Sequence, residues 1–331
     1  MTDGARTPLV WSEAAVLITG GTGSFGNTFV ETMLTRHRPR RLVVLSRDEL
    51  KQSEMRARFG DHPALRFFLG DVRDRDRLQR ALHGIDVVFH AAALKQIPAC
   101  EYDPFEAIQT NVLGAKNVID AAIDQGVSRV IGISTDKAVN PINLYGATKL
   151  CAEKLFVQGN AYGHPRGTAF GVVRYGNVIG SRGSVVPLFA AQRASGRVTV
   201  TDRRMTRFWI ELGQGVAFAI RSAELMRGGE IFVPKIPSMR IMDLVAAVAP
   251  GCAVEDIGIR PGEKLHEILI SEDESRQALE FEDMFVLEPV FPSWAFAPWD
   301  GGKRAAPGFR YASDNNGQWL SGAQMKELSG E

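Results

Sequence analysis

Cysteine is scarce in this chain of 331 residues. Cys100, Cys151 and Cys252 are odd in number and scattered, so they frame no disulfide scaffold. They suit a reducing compartment, and the cytoplasm is the expected location. The six histidines stand at no metal-ligand spacing to one another or to the cysteines, so no metal is expected. No run approaches the roughly 20 apolar residues of a membrane-spanning helix. The first residues, Met1 to Glu13, lack the basic-then-apolar layout of a secretion signal. An excess of one charge is also missing: 39 basic residues face 38 acidic ones, a net +1. No global field therefore draws the chain to nucleic acid or to an anionic membrane. Repeats and low-complexity tracts are absent.

What is present is an ordinary globular composition, 45% hydrophobic and 23% charged, enough for a main domain with a smaller one attached. Ala15–Thr19 and Arg41–Ser46 read as fully buried strands. Between them Phe25, Phe29 and Met33 recur every four residues, the stripe of a helix lying on a sheet. Further strands are expected at Leu65–Leu69, Asp86–His90, Arg129–Ser134 and Ala169–Arg174. Helices are expected at Asp74–Leu82, Phe105–Gln125, Tyr145–Val157, Val185–Ala194 and Gly213–Met226, and a loop at Gly180–Ser184. Such alternation predicts an α/β fold with a doubly wound parallel sheet, whose ligands sit beyond the carboxyl ends of the strands. We assign residues 12–176 and a returning segment at about 205–230 to this nucleotide-binding domain. Residues 177–204 and 231–331 are assigned to a smaller substrate-binding domain made of C-terminal insertions. Pro289–Gly302, rich in proline and aromatics, reads as cap packing or subunit interface.

Thr19-Gly20-Gly21-Thr22-Gly23-Ser24-Phe25-Gly26 closes the first strand and opens the first helix. This is where Gly20 makes a tight turn, Gly23 admits a pyrophosphate against the backbone and Gly26 packs helix on strand, with free N–H groups at the helix start to hold phosphates. Thr22, Ser24 and Phe25 belong to the same cofactor-binding loop of a Rossmann domain. At the end of the second strand stand Ser46, Arg47 and, one helical turn on, Lys51. Two cations there suit the 2′-phosphate of NADP, against a reading in which Asp48 serves the ribose of NAD. Asp71 and Val72 are placed for the adenine. Ala91 and Ala92 form a small-residue floor under the cofactor or simply pack, and Lys95 follows them.

The densest chemistry lies at Ser134-Thr135-Asp136-Lys137 and, shortly after, Tyr145 and Lys149. Tyr145 and Lys149 are four apart on one helical face, where an ammonium lowers the phenol's proton affinity so that it can exchange a proton with a substrate hydroxyl. Thr135, at a strand end, can hydrogen-bond the same hydroxyl. Hydride transfer alone needs Tyr145 and Lys149; the additional Asp136 and Lys137 point to an elimination.

TGGTGSFG with Tyr-x-x-x-Lys resembles the extended short-chain dehydrogenase/reductases. STDKAVNPINLYGATK, SRDELKQSEM, HAAALKQIPACEYDP, RYGNVIGSRGSV, RPGEKLHE and SDNN resemble the UDP-N-acetylglucosamine 4,6-dehydratases, in particular the inverting branch that begins pseudaminic acid synthesis. The resemblance implies tightly held NADP recycled within each turnover. It implies that Tyr145 takes the proton from the hydroxyl of sugar carbon 4, Lys137 removes the proton of carbon 5, and Asp136 protonates the hydroxyl leaving carbon 6. A lysine base must be neutral, so the proton affinity of Lys137 is expected to be depressed. Retaining relatives carry Asp-Glu at this pair, and large membrane-bound relatives carry Met where Tyr145 stands; Lys137 and Tyr145 favour the inverting type. The resemblance also implies a diphosphate and ribose clamp at Arg260 and Glu263. Asn177, Lys95 and Arg207 are further candidates for the sugar nucleotide. Family habit implies a homo-oligomer, a hexamer being one form. A UDP-sugar 4-epimerase, a retaining dehydratase and a non-catalytic NADP-binding sensor are the competing readings. An epimerase shares Thr135, Tyr145 and Lys149 but has no use for Asp136 and Lys137, and a sensor has no need to tune a phenol.

Overall fold

The computed structural model describes residues 7–179 and 185–329; the loop expected at Gly180–Ser184 lies outside the described residues. Six strands run in the order expected from the apolar pattern: β1 (Ala15–Thr19), β2 (Arg41–Ser46), β3 (Leu65–Leu69), β4 (Val87–His90), β5 (Arg129–Thr135) and β6 (Ala169–Tyr175). They pair in parallel as 3-2-1-4-5-6, so chain order reverses between β1 and β4. β1, β4 and β6 are buried along their whole length, which is why their apolar residues run without alternation, with Thr19, His90 and Arg174 the polar exceptions at or near the carboxyl ends. Register aligns Thr19 with His90 and Thr135 with Tyr175, so these strand ends form one ledge beside the switch point.

Two expectations are corrected here. Residues 231–331 do not all belong to the smaller domain. Ile231–Pro234 joins β6 as a seventh parallel strand, and Met284–Leu287, Ala278–Glu280 and Lys303–Arg304 extend the sheet antiparallel beyond it. Ile231–Pro234 and Met284–Leu287 are fully buried apolar runs that cap an otherwise open edge. The return to the main domain also begins later than residue 205. Thr206–Ile210 pairs with Asn177–Val178 and Ser238–Arg240 in a separate small sheet, and only the helix Leu212–Leu225 goes back, where Glu224 accepts a 2.6 Å hydrogen bond from Trp11. A second core of Val186, Phe189, Trp209, Leu244 and Val248, among others, sits under that small sheet.

The helix expected over Phe105–Gln125 is interrupted. A wider π-type turn at Gln109–Leu113 separates Pro104–Ile108 from Gly114–Gln125. The turn carries buried Asn111, whose side chain accepts from the Leu94 N–H (2.8 Å) and donates to the Leu94 carbonyl (2.9 Å) and to Thr148 Oγ1 (3.0 Å). One side chain thus ties the loop after β4 to the helix Leu144–Gly163, a recurrent use of π-turns near sites.

Arg174, on β6, is completely buried and grips two carboxylates. Its guanidinium donates to Glu153 (3.0 and 2.6 Å) on that helix, and to Glu274 (3.1 and 2.9 Å) in the C-terminal part. Ser134 donates to Glu153 as well (2.5 Å). Removing the cation would leave buried Glu153 uncompensated. Arg174→Met should therefore cost about 3–5 kcal/mol in urea unfolding, with part recovered in the double variant R174M/E153Q. A loss below about 1 kcal/mol would show the trio to be dispensable.

Candidate active site

The carboxyl ends of the parallel strands open into a cavity of about 1200 Å³. Gly20, Thr22, Gly23, Ser24 and Phe25 line one end, where the first helix starts at Ser24 with no side chain capping its N–H groups. Gly26 lies beneath the loop: a Cβ there would fall 2.1 Å from the Gly21 carbonyl oxygen, so only glycine lets loop and helix meet. This end is a cradle of backbone donors that fits a dinucleotide pyrophosphate. Ser46, Arg47, Lys51, Asp71 and Val72 line its far rim, and Ala91, Ala92 and Lys95 its floor. Ser46 is hydrogen-bonded to Thr22 (2.8 Å). Asp48 is committed: one oxygen accepts the Lys51 N–H (3.0 Å) and caps the helix, and the other pairs with Lys51 Nζ (2.7 Å). Those Lys51 contacts hold its carboxyl below the usual range. Asp71 pairs with Arg73 and lies 3.8 Å from Arg47.

The acid–base groups gather at the middle of the cavity. Asp136 Oδ1 accepts from Thr135 Oγ1 and from Lys137 Nζ, both at 2.9 Å. Lys137 Nζ also donates to Asn177 (3.2 Å) and lies 3.6 Å from Glu267. Thr135 and Tyr145 line the cavity beside this Asp136–Lys137 pair. The helix carrying Tyr145 and Lys149 presses on the Asp136–Ala138 turn because residue 146 is glycine; a Cβ there would stand 2.1 Å from the Lys137 carbonyl oxygen. Asp136 is fully buried behind Lys137 and, unlike its neighbours, does not line the cavity.

Charge is distributed differently from the sequence expectation. Burial pushes the Tyr145 hydroxyl up to about 12, and the cation that opposes this is Lys137, not Lys149. Lys149 is itself buried and falls to about 8 by desolvation, with Glu153 partly restoring it. Lys137 is not depressed. Desolvation works to lower its proton affinity, but Asp136 and Glu267 outweigh it and hold the ammonium. His90, buried beside Lys149, is driven to about 3 by burial and then by that lysine, so it is neutral and bonds Thr19 (2.9 Å), which accepts from the Ala92 N–H.

Four candidates for the sugar nucleotide line the cavity: Lys95, Asn177, Arg260 and Glu263, the last two 4.0 Å apart. Arg207 reaches it too but is already committed. Its guanidinium donates to the carbonyls of Thr206 (2.7 Å), Leu265 (3.1 Å) and Lys264 (3.0 Å), and its Nε lies 3.8 Å from Glu267. It braces the loop after residue 260 in place of presenting a free fork to phosphate. Residues not anticipated from sequence are Asn111, Gly146, Glu153, Arg174 and Glu267. Three of them carried a signal: Gly146 within STDKAVNPINLYGATK, Arg174 as the first letter of RYGNVIGSRGSV and Glu267 as the last of RPGEKLHE. Among the described residues no cluster of metal-binding side chains occurs, and no helix is long and apolar enough to cross a membrane.

With this geometry in place, comparison with known proteins is specific. The profile of the family described as "Polysaccharide biosynthesis protein" matches residues 16–289. The chain belongs to this family, within the extended short-chain dehydrogenase/reductases. It is 49% identical over 331 residues to the UDP-N-acetylglucosamine 4,6-dehydratase (inverting) of Campylobacter jejuni subsp. jejuni serotype O:2, covering 96% of this chain and 98% of that protein. It is 41% identical to a UDP-glucose 4-epimerase of Rickettsia conorii, over 96% and 95% of the two chains. The solved structure of Pen from Bacillus thuringiensis superposes with a TM-score of 0.88 at 38% identity, covering 97% of this chain and 98% of that one.

Lys149 releases its proton near pH 8 in the fold and near 10.5 in the unfolded chain, so between those values the unfolded state holds more protons. Its burial penalty is therefore complete below pH 8 and fades as pH climbs through that window, where stability rises. Urea unfolding at pH 7 and pH 10 should show this rise in the native protein and a rise smaller by about 2–3 kcal/mol in Lys149→Met. Equal pH increments in the two proteins would contradict the buried ammonium.

Proposed function

We propose that the protein is an NADP-dependent UDP-N-acetylglucosamine 4,6-dehydratase that inverts carbon 5. The observation that carries this reading is the 2.9 Å hydrogen bond from Lys137 Nζ to Asp136 Oδ1, at a strand end beside Thr135 and Tyr145. Elimination of water needs a neutral amine to take the proton of carbon 5 and a carboxylic acid to protonate the hydroxyl on carbon 6. Moving the one proton along this hydrogen bond from Lys137 to Asp136 creates both at once. The ammonium found here is then the resting form, and the base arises from it at a cost set by the gap in proton affinity between the two groups.

Tyr145, with Thr135 holding the same hydroxyl, takes the proton of the carbon 4 hydroxyl and later returns it. The nicotinamide, when bound, accepts hydride from carbon 4 and gives it back at carbon 6. Asn177, through the carbonyl that holds Lys137, keeps the amine directed at carbon 5. Lys95, Arg260 and Glu263 line the cavity where the diphosphate and ribose of the substrate would lie. NADP over NAD is supported by Asp48, whose two oxygens are taken by Lys51, leaving Arg47 as the cation at the ribose rim. Substrate and inversion are supported by the Campylobacter relative's name, and the sugar nucleotide would be enclosed between the main sheet and the segment with its own core, residues 177–179, 185–210 and 235–257. A homo-oligomer is supported by Tyr102, Phe105, Ile108 and Leu113, apolar and exposed on consecutive helical segments. The cytoplasm is supported by three unpaired cysteines.

The 4-epimerase reading draws on the Rickettsia relative, and one experiment separates the two. The purified protein incubated with UDP-N-acetylglucosamine in deuterated water, followed by NMR, should yield a carbon 6 methyl group, a 4-keto product and deuterium at carbon 5. Recovery of the 4-epimer alone would sink the dehydratase assignment. Lys137→Ala should abolish elimination with bound NADP retained. Cofactor extracted from the native protein should be NADP, and Arg47→Ala should weaken NADP binding by about 10-fold or more while leaving NAD nearly unaffected. Equal losses for both cofactors would contradict a 2′-phosphate contact at Arg47.

A further inference from the structure

Glu267 is a buried carboxylate, 3% exposed, to which the scheme above gives no task. It enters the cavity from the C-terminal part of the chain, opposite the strand end that bears Asp136 and Lys137. Its Oε1 lies 3.6 Å from Lys137 Nζ and 3.8 Å from Arg207 Nε, and its Oε2 is buried with no hydrogen-bond partner. A carboxylate left so poorly hydrogen-bonded is costly in a dry site unless a cation faces it.

The backbone at Glu267 is held with unusual care. Its N–H donates to Ser313 Oγ (2.9 Å), and its carbonyl accepts from the Ser313 N–H (2.8 Å). Ser313 Oγ is bonded in turn to Thr206 Oγ1 (2.7 Å), and Thr206 bridges His266. Asn315 and Asn316 fasten the same turn to Ala312, Arg310, Ile236 and Ser238. The two late strings of the sequence, RPGEKLHE and SDNN, therefore meet at one place, and what they jointly fix is the position of the Glu267 side chain.

We propose that Glu267 is a positioning residue that holds Lys137 from the second wall of the cavity and acts as counter-ion to the ammonium formed when Lys137 takes the proton of carbon 5. The inference rests on the dehydratase reading. In that step the bond from carbon 5 to hydrogen breaks, its proton goes to the Nζ lone pair, and its electron pair forms the double bond between carbons 5 and 6. The bond from carbon 6 to oxygen breaks as the Asp136 proton passes to the departing oxygen through the Thr135 hydroxyl, which bonds Asp136 Oδ1 and lines the cavity, and water leaves. The pair passes from neutral amine and acid to ammonium and carboxylate. Charge thus returns to Nζ where Glu267 stands, so the fixed carboxylate draws the proton of carbon 5 onto the amine from the neutral pair and keeps Nζ directed at carbon 5. The other groups facing Nζ do not replace it: Asp136 is the partner in the exchange, Asn177 and Tyr145 are neutral, and Lys95 and Lys264 are cations that oppose the ammonium.

The test compares native protein with Glu267→Gln and Glu267→Asp, which keep the size or the charge. Below its midpoint the rate at which an amine-selective reagent labels Lys137 tracks the fraction of neutral amine, so labelling at fixed pH between about 9 and 11 reads its proton affinity without turnover, since about a quarter of the side chain (24%) is exposed. That rate should rise about tenfold or more in E267Q and return most of the way in E267D. With UDP-N-acetylglucosamine as substrate, kcat should fall about 10- to 100-fold in E267Q with KM within about threefold of native. An unchanged labelling rate in E267Q, or a raised KM with kcat intact, would overturn the proposal and leave Glu267 as a brace for Arg207 or a substrate contact. A native protein that gives no dehydrated product would instead refute the dehydratase reading, and the labelling comparison would still decide whether Glu267 governs Lys137.

Discussion

The buried Arg174 guanidinium is the contact on which the rest of the site's geometry depends. It stands on β6 and joins Glu153, one turn beyond Lys149 on the catalytic helix, to Glu274 in the C-terminal part. Through Glu153 it also fixes Ser134, the neighbour of Thr135. Three stretches far apart in sequence are thereby set against one strand, and their reacting groups come within hydrogen-bonding reach of each other. The ionic trio is buried, so its worth lies less in net stability than in admitting one arrangement only.

The site is best described by where a few protons are allowed to sit. His90 is kept neutral, Lys149 is drawn towards neutrality, Tyr145 holds its proton firmly, and Lys137 remains charged between two carboxylates. Desolvation raises or lowers each group according to its charge type, and the placement of three acidic side chains decides the exceptions. The cavity is therefore lined by a phenol that keeps its proton and an ammonium that shares a hydrogen bond with the buried Asp136.

Much of this was legible in the sequence because its signals are local. Apolar runs gave β1 to β6 nearly to the residue, and the glycine trio and the four-residue spacing of Tyr145 and Lys149 located both halves of the cavity. What was illegible depends on distant contacts. The π-type turn at Gln109–Leu113 exists so that Asn111 can reach Leu94 and Thr148, which no periodicity encodes. The protonation of Lys137 was misjudged because Asp136, next to it in sequence, bonds it directly, and Glu267 joins from the other end of the chain. Arg207 looked like a phosphate ligand because basic clusters do, and only the fold shows its fork already filled by loop carbonyls. The short strands after residue 230 were assigned to the wrong layer because four buried apolar residues suit either core.

Those late strands bear on how the protein is made. β6 is apolar and wholly buried, yet its outer neighbour, Ile231–Pro234, and the strands outside that come from the last third of the chain. During synthesis the nucleotide-binding half therefore leaves the ribosome with a long, sticky, unpaired edge, a template for intermolecular pairing until the C-terminal segments arrive. The two lobes are consequently not separable modules but one folding unit. Truncation in the C-terminal third would yield an aggregating chain and not a smaller working dehydrogenase.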